Sequence, residues 1–438
     1  MNAPLPQKNF RGKLPQLAAL FCFALLLFSC ASDPFAKIDQ EVFAGKYEEA
    51  VQILETEKKS LYGSDAILYY LDKGMIAHYA GNYEESSALL QDGERAIEDA
   101  FTKSVTESIT SYIVNDKSKQ YAGEDYEDLY LNVFNALNYY HQKKMEDAMV
   151  EIRRVGAKLQ VLHTKYDALN EELSDEDRDA ADYTDVEINF SNSALARYLG
   201  LLFYRAAGKS DDARIDRDWL KKAFADEKPV YPFPAPSIID EELAVPKGKA
   251  RLNVLAFSGL SPVKVEEVTR IPMPTGNWIK IALPEMEKTP SAVRKIELVF
   301  EGGATHELAL LEDIQNVAIE TFKIHLGTIK AKSIIRGTTK GGIATGLSAA
   351  GRQNDNPWLA LAGLGAQAFA ELSESADLRL ARYFPGKASI GGVTLDPGNY
   401  TFSVNYYDGT GGFIESIEHK NFAVQLSTLN LVETYCSK

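Results

Sequence analysis

The sequence predicts a two-domain α+β protein: an array of paired helices in the amino-terminal half, then a β-sandwich-like domain carrying an inserted helical hairpin. Three observations predict it. From about Ile38 to Phe224 the chain contains no proline and spaces its apolar residues at the helical period. At Pro229-Val230-Tyr231-Pro232-Phe233-Pro234-Ala235-Pro236 alternating prolines exclude helix and force extended backbone. Beyond them come short β-branched or alternating runs, separated by Gly and Pro, which read as strands.

The chain begins with Lys8, Arg11 and Lys13, followed by an apolar run from Leu17 to Phe28 and then Ser29-Cys30. The run is shorter than the roughly 20 apolar residues of a membrane-spanning helix, so residues 1–29 read as a cleaved signal and 30–37 as a tether. Leu25-Leu26-Leu27-Phe28-Ser29-Cys30 resembles the lipobox of bacterial lipoproteins, which implies lipidation of Cys30. Several acyl chains on one residue give stable attachment where one chain gives marginal binding. Ala31 and Ser32 follow with no Asp directly after the cysteine. In Gram-negative lipoproteins that pattern implies sorting to the outer membrane, facing the periplasm.

Composition narrows the partners. The chain of 438 residues carries a net charge of −15, which becomes −18 once the signal's three cations are removed. Such a polyanion is repelled by nucleic-acid phosphates and by acidic headgroups. With Cys22 in the signal and Cys30 lipidated, Cys436 is the one remaining cysteine, and no internal disulfide forms.

Within residues 38–225, Ala44-Gly45-Lys46-Tyr47-Glu48-Glu49-Ala50 recurs as Ala80-Gly81-Asn82-Tyr83-Glu84-Glu85-Ser86, an offset of 36 residues. A third, degenerate copy runs from Leu131 through Tyr139 to Ala148, with Lys143-Lys144-Met145 replacing the Gly-x-Tyr, and a fourth keeps Ala207-Gly208. These units resemble tetratricopeptide repeats, whose period is about 34 residues. The resemblance makes Gly74 a close-approach position between helices, Gly45 and Gly81 left-handed helix ends, Tyr47, Tyr83 and Tyr139 core tyrosines between helices, and Ala50 and Ala148 further repeat-structural positions. Each repeat buries one face on its neighbours, leaving a concave surface for a partner. An open surface favours partner capture, and one filled by the carboxy-terminal half makes the repeats an internal brace. Glu151, Arg153 and Arg154 are the candidate partner-binding residues, although Glu151 and Arg154 are one turn apart and also suit a surface ion pair. The acidic stretch from Ser174 to Asp182 starts like a calcium loop. Ala180 and Val186 stand where an EF-hand needs Gly and a bidentate Glu, so it reads as a solvated loop.

Residues 226–247 form the Pro-rich linker and 248–438 the β-rich domain. Its strand-like runs are Arg251–Phe257, Val263–Val268, Trp278–Leu283, Lys295–Phe300, His306–Leu311, Leu395–Val404, Phe413–Ile417 and Phe422–Leu426. A helical insertion covers about 311–375. Within it Gly342 and Gly346 permit close helix packing, and Trp358 to Leu364 is apolar on nearly every face, suiting either burial or contact with a membrane.

Together with the lipobox, Leu137-Asn138-Tyr139-Tyr140, Ser261-Pro262-Val263-Lys264-Val265-Glu266, Ile281-Ala282-Leu283-Pro284 and Ala376-Asp377-Leu378-Arg379 resemble a family of uncharacterised bacterial lipoproteins with tetratricopeptide-like helices. The resemblance implies an envelope protein associated with cell-wall or outer-membrane machinery, and it supplies no active-site residues. The residues themselves agree. The six histidines, His78, His141, His163, His306, His325 and His419, lack metal-helix spacing, and His306-Glu307 has Leu310 where a zinc motif needs its second His. No nucleophile elbow or ordered phosphate loop occurs. The expectation is a non-catalytic, lipid-anchored scaffold for envelope proteins, without metal, cofactor or small-molecule substrate. The alternatives are a structural or export component whose Gly/Ala-rich hairpin contacts membrane, and an envelope hydrolase.

Overall fold

The structure, a computed structural model, describes residues 33–106, 119–162, 164–165, 189–272, 278–323, 325–327, 329–330, 333 and 375–438. Helices fill the amino-terminal half and sheets the carboxy-terminal half. The described helices of the amino-terminal half are α1 (Ala36–Phe43), α2 (Tyr47–Tyr62), α3 (Ala66–Tyr79), α4 (Tyr83–Thr106), α5 (Asp125–His141), α6 (Met145–Leu162), α7 (Ala194–Ala206) and α8 (Ser210–Asp226).

They form four hairpins with one turn geometry. The chain passes through a left-handed residue at Gly45, Gly81, Lys143 and Gly208, with φ of 70°, 81°, 63° and 71°. In each turn that residue's N–H donates to the carbonyl three positions back, and the next N–H to the carbonyl five back. For the second hairpin these bonds are Gly81 to His78 (3.0 Å) and Asn82 to Ala77 (2.9 Å); for the third, Lys143 to Tyr140 (2.9 Å) and Lys144 to Tyr139 (2.8 Å). This is the Schellman pair, which satisfies the last orphan carbonyls of a helix. Lys143 therefore adopts a conformation that its side chain disfavours and that glycine adopts freely. Five residues beyond each left-handed position stands a small, fully buried residue: Ala50, Ser86, Ala148 or Ala213. Gly74 lets α4 approach α3, because a Cβ there would lie 2.8 Å from Cδ2 of Leu90.

The strands are β1 (Ala250–Ser258), β2 (Val263–Pro272), β3 (Trp278–Glu287), β4 (Lys295–Phe300), β5 (Thr305–Glu307), β6 (Ala309–Asp313), β7 (Lys387–Leu395), β8 (Gly398–Tyr407), β9 (Phe413–Val424) and β10 (Asn430–Cys436). They build a sheet of order β10-β1-β7-β6, a second of order β5-β4-β8-β9, and the separate β2–β3 hairpin. Early and late strands thus combine, with β1 parallel to β10 and antiparallel to β7. The strand boundaries differ from those that alternation predicts. The run His306–Leu311 divides into β5 and β6, and helix begins at 314 instead of near Leu311. β9 is one strand with register shifts against β8 where alternation marks two. β7 lies outside the predicted runs because Gly391-Gly392 weakens its pattern. Those glycines admit neighbours: a Cβ on Gly391 would meet Leu308 at 3.0 Å, and one on Gly392 would meet Arg251 Nη2 at 2.6 Å.

β1 is buried along its whole length. Leu252, Val254 and Ala256 enter a core shared with Ile296, Leu298, Phe402 and Val404 of the second sheet. Leu255 and Phe257 enter the larger core that the helices form. Phe134 of α5 lies 5.2 Å from Phe257 and 6.0 Å from Phe384 between ring centroids, and Tyr79 stacks on Tyr435 at 3.9 Å. Burying each such side chain contributes about 1.5–3 kcal/mol. The Pro-rich segment is packed as well: Val230 and Tyr231 are buried, and residues Ser237–Leu243 form a 3-10 helix.

Candidate functional site: the groove between α4 and α6

The first helix of each hairpin, α1, α3, α5 and α7, faces the carboxy-terminal half. Ser437 Oγ donates to the carbonyl of Val42 on α1, Tyr79 Oη to that of Tyr383, Tyr130 Oη to Glu312, and Arg205 to Asn253. That surface is filled rather than open. Irregular residues 375–386 run across it, and helix carboxylates satisfy their backbone: Asp72 accepts from Arg382 N (2.7 Å) and Glu127 from Ala381 N (2.6 Å). Burial pushes both acids up, to about 7. Along the same interface Arg379 pairs with Asp65, Arg382 with Asp39, and buried Lys264 with Glu124.

The second helices look outward, and α4 and α6 enclose a cavity of about 610 Å³. Its wall on α4 is Gln91, Glu94, Arg95 and Glu98, and its wall on α6 is Asp147, Val150, Glu151, Arg154 and Lys158, with Tyr139 of α5 contributing from below. The floor follows from the spacing in Asn132-Val133-Phe134-Asn135-Ala136-Leu137-Asn138. Asn132 and Tyr139, seven apart, lie on one stripe of α5. Asn132 Nδ2 donates to both Glu94 (3.0 Å) and Glu151 (2.7 Å), joining the two walls, while Gln91 donates to Tyr139 Oη. Lys158 reaches Glu94 at 2.8 Å and Asp128 at 2.7 Å, and Arg154 reaches Glu94 at 2.9 Å. Burial pushes the Glu94 carboxyl up, but Lys158 and Arg154 outweigh it and hold it below the usual range. For Glu151 burial wins, and its pKa is raised despite Asn132 and Arg154. Glu98 and Asp147 are exposed at the mouth beside Arg95, which is engaged by Asp92, so the groove is polar and braced, with two carboxylates free at its rim among the described residues.

Of the predicted partner-binding residues, Glu151 and Arg154 come together here, 3.7 Å apart. Arg154 makes its closer ion pair with Glu94 across the groove. Arg153 points elsewhere and reaches Tyr204 Oη of α7 at 3.4 Å. Tyr47 and Tyr83 do not simply plug their own hairpins: Tyr47 packs on Tyr79, and Tyr83 stacks on His141, 4.2 Å away at the end of α5. Each tyrosine ties its hairpin to the next first helix. Gly45 and Gly81 hold left-handed turn positions, Gly74 sits against Leu90, and Ala50 and Ala148 are buried five residues beyond their turns. Cys30, the acidic stretch 174–182 and the hairpin around 341–372 lie outside the described residues. Sequence reasoning missed Asn132, Glu94 and Lys158; the signal that marks them is an apolar helix carrying asparagine at every third position.

A second polar centre holds the halves together. Glu433 of β10 accepts from His78 Nε2 (2.7 Å) and His141 Nε2 (2.8 Å). Cys436, two strand positions on from Thr434, is buried against Glu415, and burial pushes its thiol up to about 12. Among the described residues, no helix is long and apolar enough to cross a membrane. No protein-family model matches the chain, and no curated protein or solved structure matches it. The functional reading therefore rests on residues and geometry.

Proposed function

We propose that this chain is a lipid-anchored protein of the bacterial envelope that acts as a non-catalytic scaffold, seating an envelope protein in the α4–α6 groove. The reading takes the hairpins as tetratricopeptide-like and the two facing four-stranded sheets as β-sandwich-like. It takes Cys30 as the acylated residue that holds the protein on the outer membrane, facing the periplasm, in the manner of the lipoprotein family the sequence resembles.

The groove is the observation that carries the reading. Because the first-helix face is covered, the surface the array offers to another protein lies on its second helices. Glu151, Arg154 and Lys158 are fixed there by cross-groove bonds, so little side-chain entropy is lost on docking. The exposed Glu98 and Asp147 suit a partner segment bearing Lys or Arg, whose charge would steer association.

A photo-crosslinking residue at Val150, which is 39% exposed in the groove, tests this in intact envelopes. One reproducible adduct is expected, lost in the D147K/E98K double variant and kept in a remote E418K control. A folded protein giving no adduct, or one indifferent to the charge reversal, would overturn the reading. Separately, Cys30→Ala should abolish fatty-acid labelling and release the protein from membranes.

A further inference from the structure

The two four-stranded sheets leave a second cavity, of about 370 Å³, where the ends of β1, β6 and β7 meet the start of β4. Its apolar lining includes Phe233, Leu308 and Leu310, and its charged lining includes Arg294, Lys295 and Lys387. Cations gathered in a strongly acidic protein call for a counter-charge, and among the described residues two of them make no ion pair. The Lys387 side chain has no hydrogen-bond or ion-pair partner among the described residues. The carboxylate opposite it on the β6–β7 ladder, Asp313, is engaged by Lys288 at 2.9 Å. Among the described residues the Arg294 guanidinium donates only to the carbonyls of Ser291 and Val293. Lys295 is neutralised by Glu297, and Glu307, also on the lining, is exposed.

We propose that this cleft binds an amphipathic anion, with a carboxylate or phosphate group between Lys387 and Arg294 and a short apolar chain against Phe233, Leu308 and Leu310. A half-buried ammonium with no ion pair of its own loses hydration that the nearby Asp313 offsets only in part, and Arg294 and Lys288 repel it further. Burial first, and then those two cations, push the pKa of Lys387 down against the pull of Asp313. A bound anion reverses both effects. The apolar lining then sets the chemistry of the rest of the ligand, since a cavity of this size with few convergent polar groups has the form of a small-molecule site. This site is independent of the α4–α6 groove, so either assignment stands or falls alone.

Calorimetric titration of the full chain with octanoate, octyl phosphate and neutral 1-octanol tests the assignment. Octanoate or octyl phosphate should bind at least tenfold more tightly than 1-octanol, and the tighter of the two identifies carboxylate or phosphate as the head group. Binding should weaken at least tenfold in K387Q and in R294Q, each with unchanged melting temperature without ligand. Titration of the Lys387 side chain by NMR should show its pKa rising when the ligand is present, which a merely structural lysine would not do. Equal binding of octanol and the anions, or undiminished binding by folded K387Q, would overturn it.

Discussion

Nε2 of His78 on α3 lies 2.7 Å from Oε1 of Glu433 on β10, and the other ring nitrogen is committed too. Nδ1 sits 2.7 Å from Asn138 Oδ1. The asparagine's orientation is fixed from behind, because its amide donates to Ser86 Oγ (2.8 Å) and Ser86 donates to the carbonyl of Gly74 (2.7 Å). Asn138 thus presents an acceptor, and His78 must donate from both nitrogens as an imidazolium. Burial alone would lower its pKa, but the Glu433 carboxylate outweighs burial and raises it.

This bridge makes stability depend on pH on both sides. His78, raised, stabilises fully below its ordinary value of 6.5, and that contribution is lost as pH climbs through the raised value. For Glu433 burial acts upward, yet His78 and His141 hold it well below its ordinary value of 4.5, so its contribution is present above 4.5 and lost in acid. The bridge should therefore contribute fully between pH 4.5 and 6.5. Glu433→Gln should cost about 3–5 kcal/mol, and urea unfolding across pH should show its alkaline slope reduced.

Asp72 and Glu127 act in the same direction over a different range. Their folded values of about 7 lie above the ordinary 3.8 and 4.5, so the folded state holds the extra protons and stability falls as pH rises from about 4 through 7. Both accept backbone N–H groups from residues 381 and 382. Protection factors at Ala381 and Arg382, taken relative to intrinsic base-catalysed exchange, should fall over that range, and Asp72→Asn should flatten the dependence at Arg382.

Lys143 occupies the left-handed position that glycine holds in the other three turns. Lys143→Gly should stabilise the protein by about 1 kcal/mol, and Gly81→Lys should destabilise it by a similar amount. Chemical denaturation of the two variants checks both signs.

Gly74→Ala adds a Cβ that would stand 2.8 Å from Leu90 Cδ2. Such overpacking costs about 1–3 kcal/mol. Pairing it with Leu90→Ala should recover part of the loss, and a double-mutant cycle in thermal unfolding measures how much.

Much of the helical half is legible in sequence because its signals are local. A glycine seven residues after another and a Gly-x-Tyr turn act within one hairpin, so Gly74 and Gly81 could be placed without their neighbours, whereas Tyr83 turns to His141 at the end of α5. Glu151 and Arg154 were legible as a pair for the same reason. Their cross-groove partners were not: Glu94 is separated from Arg154 by 60 residues, and no periodicity links such positions.

What the sequence determined alone is that helices precede strands and where the hairpin turns fall, since each depends on backbone preference or on a contiguous motif, while β7 and β10 escaped it. Tertiary structure decided which helix faces were covered. It set β1 between two cores, brought Glu433 to His78 across 355 residues, and gave the Asp313 carboxylate opposite Lys387 to Lys288. Those outcomes depend on which buried charges find partners, and that is fixed only when distant segments are packed together and water is removed from between them.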